Sequence, residues 1–121
     1  MSLAKWFSHL LALSDDKGIA LFAGGKSKSA GDTYAAAADP QEVVALVAGK
    51  EIQRTAMTIE PAEGATWQWF SNALAISEAY SVPMALAAPK LGKNTVAGEA
   101  LKLRVQGGDV AVDIEYVEVD P

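Results

Sequence analysis

Hydrophobic and polar residues alternate most regularly near the end of the chain. Six large apolar residues occupy every second position on either side of Gly107-Gly108: Leu101, Leu103, Val105, Val110, Val112 and Ile114. Alternation with a period of two is typical of a strand with one buried face, and a Gly-Gly pair is typical of a two-residue turn. The pattern therefore predicts a C-terminal β-hairpin with strands at about 99–106 and 109–119.

Pairing about this turn also predicts which charges face each other. It places Lys102 opposite Asp113 on the solvent face, where opposite charges stabilise a sheet. A slip of one residue would move every large apolar side chain to the wrong face, so the predicted register is well specified.

The alternation changes phase beyond Tyr116. Val117 and Val119 fall on the face that Asp113 and Glu115 occupy. A bulge near Tyr116, or a strand tail that reaches a different surface, accounts for this change. Val117 and Val119 are therefore candidates for contact with a partner.

Two segments before the hairpin carry the signals of helix starts. Ser2 caps an amphipathic stretch that predicts a helix at about 2–14. Asp39 followed by Pro40 and Glu42 has the form of a capped helix start and predicts a helix at about 40–48.

A third helix is predicted at about 66–80. Its evidence is a set of residues at intervals of four, three and four: Trp69, Ala73, Ile76 and Tyr80. Trp67-Gln68-Trp69 alternates in the manner of a strand, which leaves the start of this helix open.

The remaining segments indicate strands and loops. An apolar run predicts a strand at 18–23, a Gly- and Ser-rich stretch predicts a surface loop at 24–32, and a returning strand follows at 33–36. Residues 52–60 predict a strand with Thr55, Met57 and Ile59 on one face. Residues 84–88, between Pro83 and Pro89, fit an edge strand or an extended segment equally well.

These elements predict a small α+β fold in a single domain, residues 1–121. An antiparallel sheet ending in the C-terminal hairpin would pack against two to three helices. At 121 residues, half of them hydrophobic, the chain has the size and composition of one globular core.

Composition narrows the partners and the chemistry. Ten basic and fifteen acidic residues give a net charge of −5, which argues against nucleic acid as a partner. No apolar run reaches the length of about 18 residues that a membrane-spanning helix needs. The chain has no cysteine, so a disulfide framework and a thiolate metal site are excluded. We expect a cytoplasmic protein, or a virion protein if it is of phage origin.

No catalytic, cofactor-binding or metal-binding residue can be assigned. Gly24-Gly25-Lys26-Ser27 resembles part of a phosphate-binding loop, but Ala20 stands where the first glycine of that motif belongs. His9 is the only histidine and has no carboxylates at ligand spacing. Asp15 and Asp16 are adjacent, so their side chains point apart.

Two surface features favour binding to another protein. Four of the nine aromatic residues lie within residues 67–80, and they either fill the core or form a docking patch. Five acids in the last thirteen residues are joined by no base, and they either protect an edge strand or dock on a basic surface. The interface candidates are Trp67, Trp69, Tyr80, Glu115, Val117 and Val119.

Two limited resemblances accompany these patterns. The order helix, strand, loop, strand, followed by Asp39-Pro40-x-Glu42-Val43, resembles the first half of profilins over about fifty residues. The second half departs from that family, so neither actin nor polyproline binding is implied. The ending from Gly98 to Asp120 resembles the terminal strands of small bacteriophage virion proteins.

The sequence favours a non-enzymatic structural or protein-protein interaction protein of microbial or bacteriophage origin, acting as an oligomer or assembly subunit. One alternative is a small acidic binder of a basic protein, of the secretion-chaperone, immunity or inhibitor type. Another is a small-molecule-binding or enzymatic domain without a visible motif.

Overall fold

Eight strands and no helix make up the part of the chain that the computed structural model describes, residues 26–121. In chain order the strands are β1 (Lys28–Tyr34), β2 (Gln41–Val44), β3 (Glu51–Pro61), β4 (Thr66–Ser71), β5 (Leu74–Ala75), β6 (Met84–Ala87), β7 (Leu101–Gln106) and β8 (Val110–Val119). They form two antiparallel four-stranded sheets. Sheet A has the order β1-β8-β3-β6, and sheet B has the order β2-β7-β4-β5.

The hydrophobic core lies between the two sheets. Residues two apart in a strand share a face, so alternate positions of β3, β4, β7 and β8 supply one continuous cluster of buried side chains. Its largest fully buried members are Trp67, Trp69, Ile52, Ile59, Leu101, Leu103 and Ile114. The described chain is therefore a β-sandwich.

The predicted C-terminal hairpin is wrong in its pairing, although both strands exist close to their predicted bounds. Strand β7 pairs with β2 and β4 in sheet B, whereas β8 pairs with β1 and β3 in sheet A. The chain crosses from one sheet to the other at Gly107-Gly108. Two strands with alternating apolar residues can bury those residues in either of two arrangements. They can pair side by side in one sheet, or they can lie in different sheets that face each other across a core. The alternation therefore predicts the buried faces correctly without specifying the partners.

The predicted helix at 66–80 is wrong as well. Residues 66–71 form β4, with Trp67 and Trp69 facing the core opposite Val105 and Leu103 of β7. Asn72, at φ 48°, then turns the chain into β5. Asparagine tolerates this left-handed conformation, and the turn interrupts the apparent helical spacing.

The helix at 40–48 is also replaced by a strand. Residues 41–44 pair with β7 along the edge of sheet B. Val43 and Val44 are β-branched residues that suit a strand, and pairing with β7 outweighs the helix-start signal of Asp39 and Pro40. The α+β class is thus corrected to an all-β sandwich within residues 26–121, and the profilin-like order of elements does not hold there.

Other predicted segments fare differently. The strand at 52–60 is confirmed as β3, and the undecided segment 84–88 contains β6 at the edge of sheet A. The loop predicted at 24–32 is wrong from Lys28 onward, where β1 begins. The helix at 2–14 and the strand at 18–23 lie outside the described residues.

A β-bulge at Thr55 changes which residues of β3 point inward. Arg54 pairs with Tyr116 while Ala56 pairs with Glu115, so Thr55 is an extra residue in the ladder. The irregularity predicted near Tyr116 is therefore found in the neighbouring strand, and it re-aims the side chain of Arg54 toward the core.

An engineered disulfide tests the strand pairing, because the chain has no cysteine of its own. Thr58 and Asp113 are direct partners in β3 and β8, and both are exposed. Cα atoms of such partners lie about 4.5–5.5 Å apart, within the span of a disulfide. The double variant Thr58→Cys/Asp113→Cys should oxidise readily, as measured by thiol titration and intact mass. The control Lys102→Cys/Asp113→Cys should not, and the opposite result would restore the hairpin.

A glycine pair tests the crossing between the sheets. Gly107 and Gly49 both have left-handed φ angles, 79° and 73°. A Cβ on Gly107 would overlap the carbonyl oxygen of Gly64, whereas a Cβ on Gly49 meets nothing within 4 Å. In urea unfolding, Gly49→Ala should cost about 1–2 kcal/mol through backbone strain, and Gly107→Ala about 1–3 kcal/mol more. Equal losses would contradict this close approach.

Candidate functional site

The candidate site is a pocket of about 560 Å³ at the side of the sandwich where β5 ends sheet B and β6 ends sheet A. Residues 76–83 join these strands and run along β4 before crossing to sheet A. The backbones of Tyr80 and Trp67 exchange two hydrogen bonds of 2.8 Å, and the indole nitrogen of Trp67 donates to the Val82 carbonyl at 3.1 Å. These bonds hold the crossing segment over the pocket.

Aromatic and flexible apolar side chains line the pocket. Trp67 and Tyr80 pack with ring centroids 4.9 Å apart and planes tilted by 38°. The other large apolar lining residues are Met57, Trp69, Ile76, Met84, Leu86 and Leu91. A mostly apolar wall with a few polar groups is typical of a site for a small organic molecule.

The most deeply buried polar residue of the pocket lining is Arg54, which is only 2% exposed. Its guanidinium carbon lies 5.1 Å from the centroid of the Trp69 ring, a cation–π contact. Its Nη2 donates a hydrogen bond of 2.8 Å to the Lys93 carbonyl oxygen. Gly92 allows this approach, because a Cβ there would stand 3.1 Å from Nη2.

Arg54 is a buried cation without a carboxylate partner among residues 26–121. The ion pairs in this range join Lys28 to Glu118 and Lys50 to Asp120. Burial lowers the pKa of Arg54 to about 10, while Tyr80 opposes the shift. The guanidinium therefore stays protonated at neutral pH and bears a desolvation cost that no acid of the described chain offsets.

Two buried hydrogen-bond donors at the pocket have no acceptor among the described residues. They are the Nε of Arg54 and the indole Nε1 of Trp69. Buried donors without partners are uncommon because each loses its bonds to water. Both donors belong to side chains that contact each other and line the same pocket. A hydrogen-bond acceptor bound next to them would give these donors the partner that they lack.

Exposed side chains of both charges surround the mouth. Lys93 and Glu78 line the rim and are exposed. Leu86 lies between the pocket and solvent at 48% exposed, and Val82 on the crossing segment is 51% exposed. The mouth is therefore accessible and partly apolar.

The structure places the sequence-predicted interface residues in three different settings. Trp67 and Trp69 are each 1% exposed and lie in the core, with one edge on the pocket, and Tyr80 forms a pocket wall. Glu115 is exposed on the outer face of sheet A. Val117 and Val119 are buried outside the main core cluster. The pocket unites the three aromatic residues, and the other three lie apart from it.

The five acids near the end of the chain do not form one surface. Glu118 and Asp120 pair with lysines. Asp113 and Glu115 remain exposed on the outer face of sheet A, beside small residues. Asp109 is exposed just before β8. No cluster of three or more metal-ligating side chains occurs within residues 26–121. The same range holds no helix with the length and apolar character needed to cross a membrane.

Sequence reasoning missed Arg54. A regular alternation that places Met57 and Ile59 inward places Thr55 inward too and Arg54 outward. The extra residue at Thr55 reverses that assignment. An arginine inside a strand of otherwise uncharged residues, Ile52 to Ile59, was the one available signal.

Comparison of the chain with protein-family models, with curated proteins and with solved structures finds no match. The described chain can therefore be assigned only to a structural class. It is an antiparallel sandwich of two sheets, with a pocket at its open side, where β5 and β6 are the edge strands.

Replacing Arg54 by methionine tests the cost of the buried charge. Arg54→Met should leave the free energy of unfolding unchanged or raise it by about 1–2 kcal/mol, since apolar substitutes for buried ions are often neutral or stabilising. The Lys93 carbonyl belongs to an exposed residue and can bond to water instead. Urea unfolding at neutral pH measures the change.

Arg104 provides a matched control. Its guanidinium carbon lies 5.2 Å from the Phe70 ring, it donates to Gln68, and it is only half-buried. Arg104→Met should lose about 0.5–1 kcal/mol. A loss in Arg54→Met larger than that in the control would show that Arg54 stabilises the fold on balance.

Proposed function

We propose that this protein is a non-enzymatic interaction protein that self-associates through the edge strand β6. The observation that carries the proposal is the composition of this edge, Met84-Ala85-Leu86-Ala87, which contains no charge. The other edge strand of sheet A, β1, contains Lys28 and Asp32. Natural sheets protect free edges with charge, so an uncharged edge is the natural place for strand addition.

Backbone geometry supports the same edge. Ala88 donates a hydrogen bond of 3.0 Å to the Thr55 carbonyl where β3 and β6 pair. Bonded residues alternate along an antiparallel ladder, so the N–H and C=O groups of Ala85 and Ala87 point away from β3. No strand within residues 26–121 pairs with these groups, so they can pair with a strand of another chain.

A second copy of the chain is the partner that suits this edge best. Antiparallel pairing of β6 with itself follows a two-fold axis, which makes a contact complementary to itself. Exposed Val82 and Leu86 would add apolar contacts beside the shared strands. The net charge of −5 favours contact at an uncharged strand, where like charges are kept apart.

The alternative of an acidic binder has less support. Two of the five terminal acids are engaged by Lys28 and Lys50. Of the other three, Asp113 and Glu115 form an exposed pair on sheet A, and Asp109 is exposed just before β8. We therefore favour self-association over capture of a basic partner.

Light scattering after size exclusion tests this function. The unaltered protein should show twice the mass of one chain, and Ala85→Lys should show the mass of one, because a lysine protects the edge. Ala85→Pro should act likewise, since it removes an outward N–H while leaving the bonds to β3 intact.

Thr33→Lys is the control, as it adds the same charge to the exposed edge strand β1 of the same sheet. It should keep the mass of two chains. A single-chain mass for the unaltered protein at every concentration would refute the proposal, as would dimers of both Ala85 variants.

A further inference from the structure

We infer that the pocket at the open side of the sandwich binds a small organic carboxylate with an aromatic or aliphatic body. This goes beyond self-association through β6, because the pocket uses side chains on the inner side of the strands and needs no second copy. The observations that carry it are the buried guanidinium of Arg54, the indole donor of Trp69 beside it, and the lack of an acceptor for Arg54 Nε and Trp69 Nε1 among the described residues.

The charge of the ligand follows from Arg54. A protonated guanidinium that is 2% exposed, with one hydrogen bond to a carbonyl and no acid partner in the described chain, lacks the anion that buried cations usually have. An anion in the pocket would supply it. Arginine binds carboxylates well because its planar donors match their two oxygens.

The indole N–H of Trp69, a second donor in the pocket, favours a ligand that can accept several hydrogen bonds. The indole Nε1 of Trp69 is buried without an acceptor in residues 26–121, and the guanidinium carbon of Arg54 lies 5.1 Å from the same ring. The Nε of Arg54 likewise has no acceptor in that range. A carboxylate has two oxygens with several lone pairs, so it can accept from more than one of these donors.

The remaining walls determine the body of the ligand. Trp67 and Tyr80 supply aromatic surface, and Met57, Met84 and Leu86 supply flexible apolar surface. Methionine adapts its shape and makes favourable contacts with aromatic rings. A volume of about 560 Å³ lies within the range of small-molecule sites and leaves room for a ring-sized group.

The rim carries charges of both signs. Exposed Lys93 attracts an anion and exposed Glu78 repels it, so these two groups offset each other. Selectivity for an anion therefore comes from Arg54, which is shielded from water.

The test uses a matched pair of probes that differ only in charge. Hydrocinnamate carries a carboxylate on a phenyl-bearing chain, and hydrocinnamamide is its neutral counterpart. Calorimetric titration of the full chain should show saturable binding of the acid, with the amide at least about tenfold weaker. In a nitrogen–proton correlation spectrum, the acid should shift the indole resonance of Trp69, which the variant Trp69→Phe identifies.

Two variants separate this site from a purely structural role for Arg54. Arg54→Met should weaken hydrocinnamate binding at least about tenfold, whereas Arg104→Met, which removes a similar stacked arginine outside the pocket, should leave it unchanged. Trp69→Phe keeps an aromatic ring without the donor and should weaken binding several-fold even if Arg54→Met does not fold.

Three results would overturn the inference. They are equal affinity for the acid and the amide, no saturable binding of either probe, and unaltered acid affinity in a folded Arg54→Met variant. Repeating the titration with Ala85→Lys separates this inference from the self-association proposal. Carboxylate binding that persists in that variant supports a site that one chain completes, while loss of binding there would overturn that independence.

Discussion

The pairing of β3 with β8, interrupted at Thr55, is the interaction on which the rest of the structure depends. It runs through the middle of sheet A and joins the two longest strands. Because of the bulge, the side chains of Arg54, which precedes it, and of Met57 and Ile59, which follow it, all point toward the inside of the sandwich. Without the extra residue, Arg54 would lie on the outer face of sheet A, and the pocket would lack its cation. One inserted residue thus links the sheet to the site.

The path of the chain explains why buried faces were predictable and pairing was not. Every connection in the described chain except that between β4 and β5 passes from one sheet to the other. Apolar alternation records only which face of a strand meets the core, so Leu103 and Val112 were assigned inward correctly. Their partners lie far away in sequence, in β4 and β3. Local rules for turns favour neighbours, and here tertiary pairing outweighs them.

The same distinction applies to the site. Trp67, Trp69 and Tyr80 stand out by residue type, and the structure brings all three to the pocket. Arg54 could be found only from the bulge, which depends on how β3 pairs with β8 and which the alternation of β3 alone conceals. The helical spacing through Tyr80 arose from a strand, a turn at Asn72 and an irregular edge segment. The sequence thus identifies the aromatic residues of the site by their type. Their position around the pocket, and that of Arg54, depends on contacts between strands that are distant in the sequence.

Both proposals concern the side of the sandwich where β6 ends sheet A and β5 ends sheet B. Strand β6 ends sheet A with outward backbone groups, and β5 ends sheet B after two residues. Residues 76–83, which connect β5 to β6, pass over the space between the two sheet edges and form part of the pocket wall. The uncharged strand β6 lies next to this pocket. Self-association would satisfy the outward backbone groups of Ala85 and Ala87 while leaving Arg54 unpaired. A carboxylate would satisfy Arg54 and leave the edge free. Each unsatisfied group therefore requires a different partner, and a partner that satisfies one group leaves the other unsatisfied.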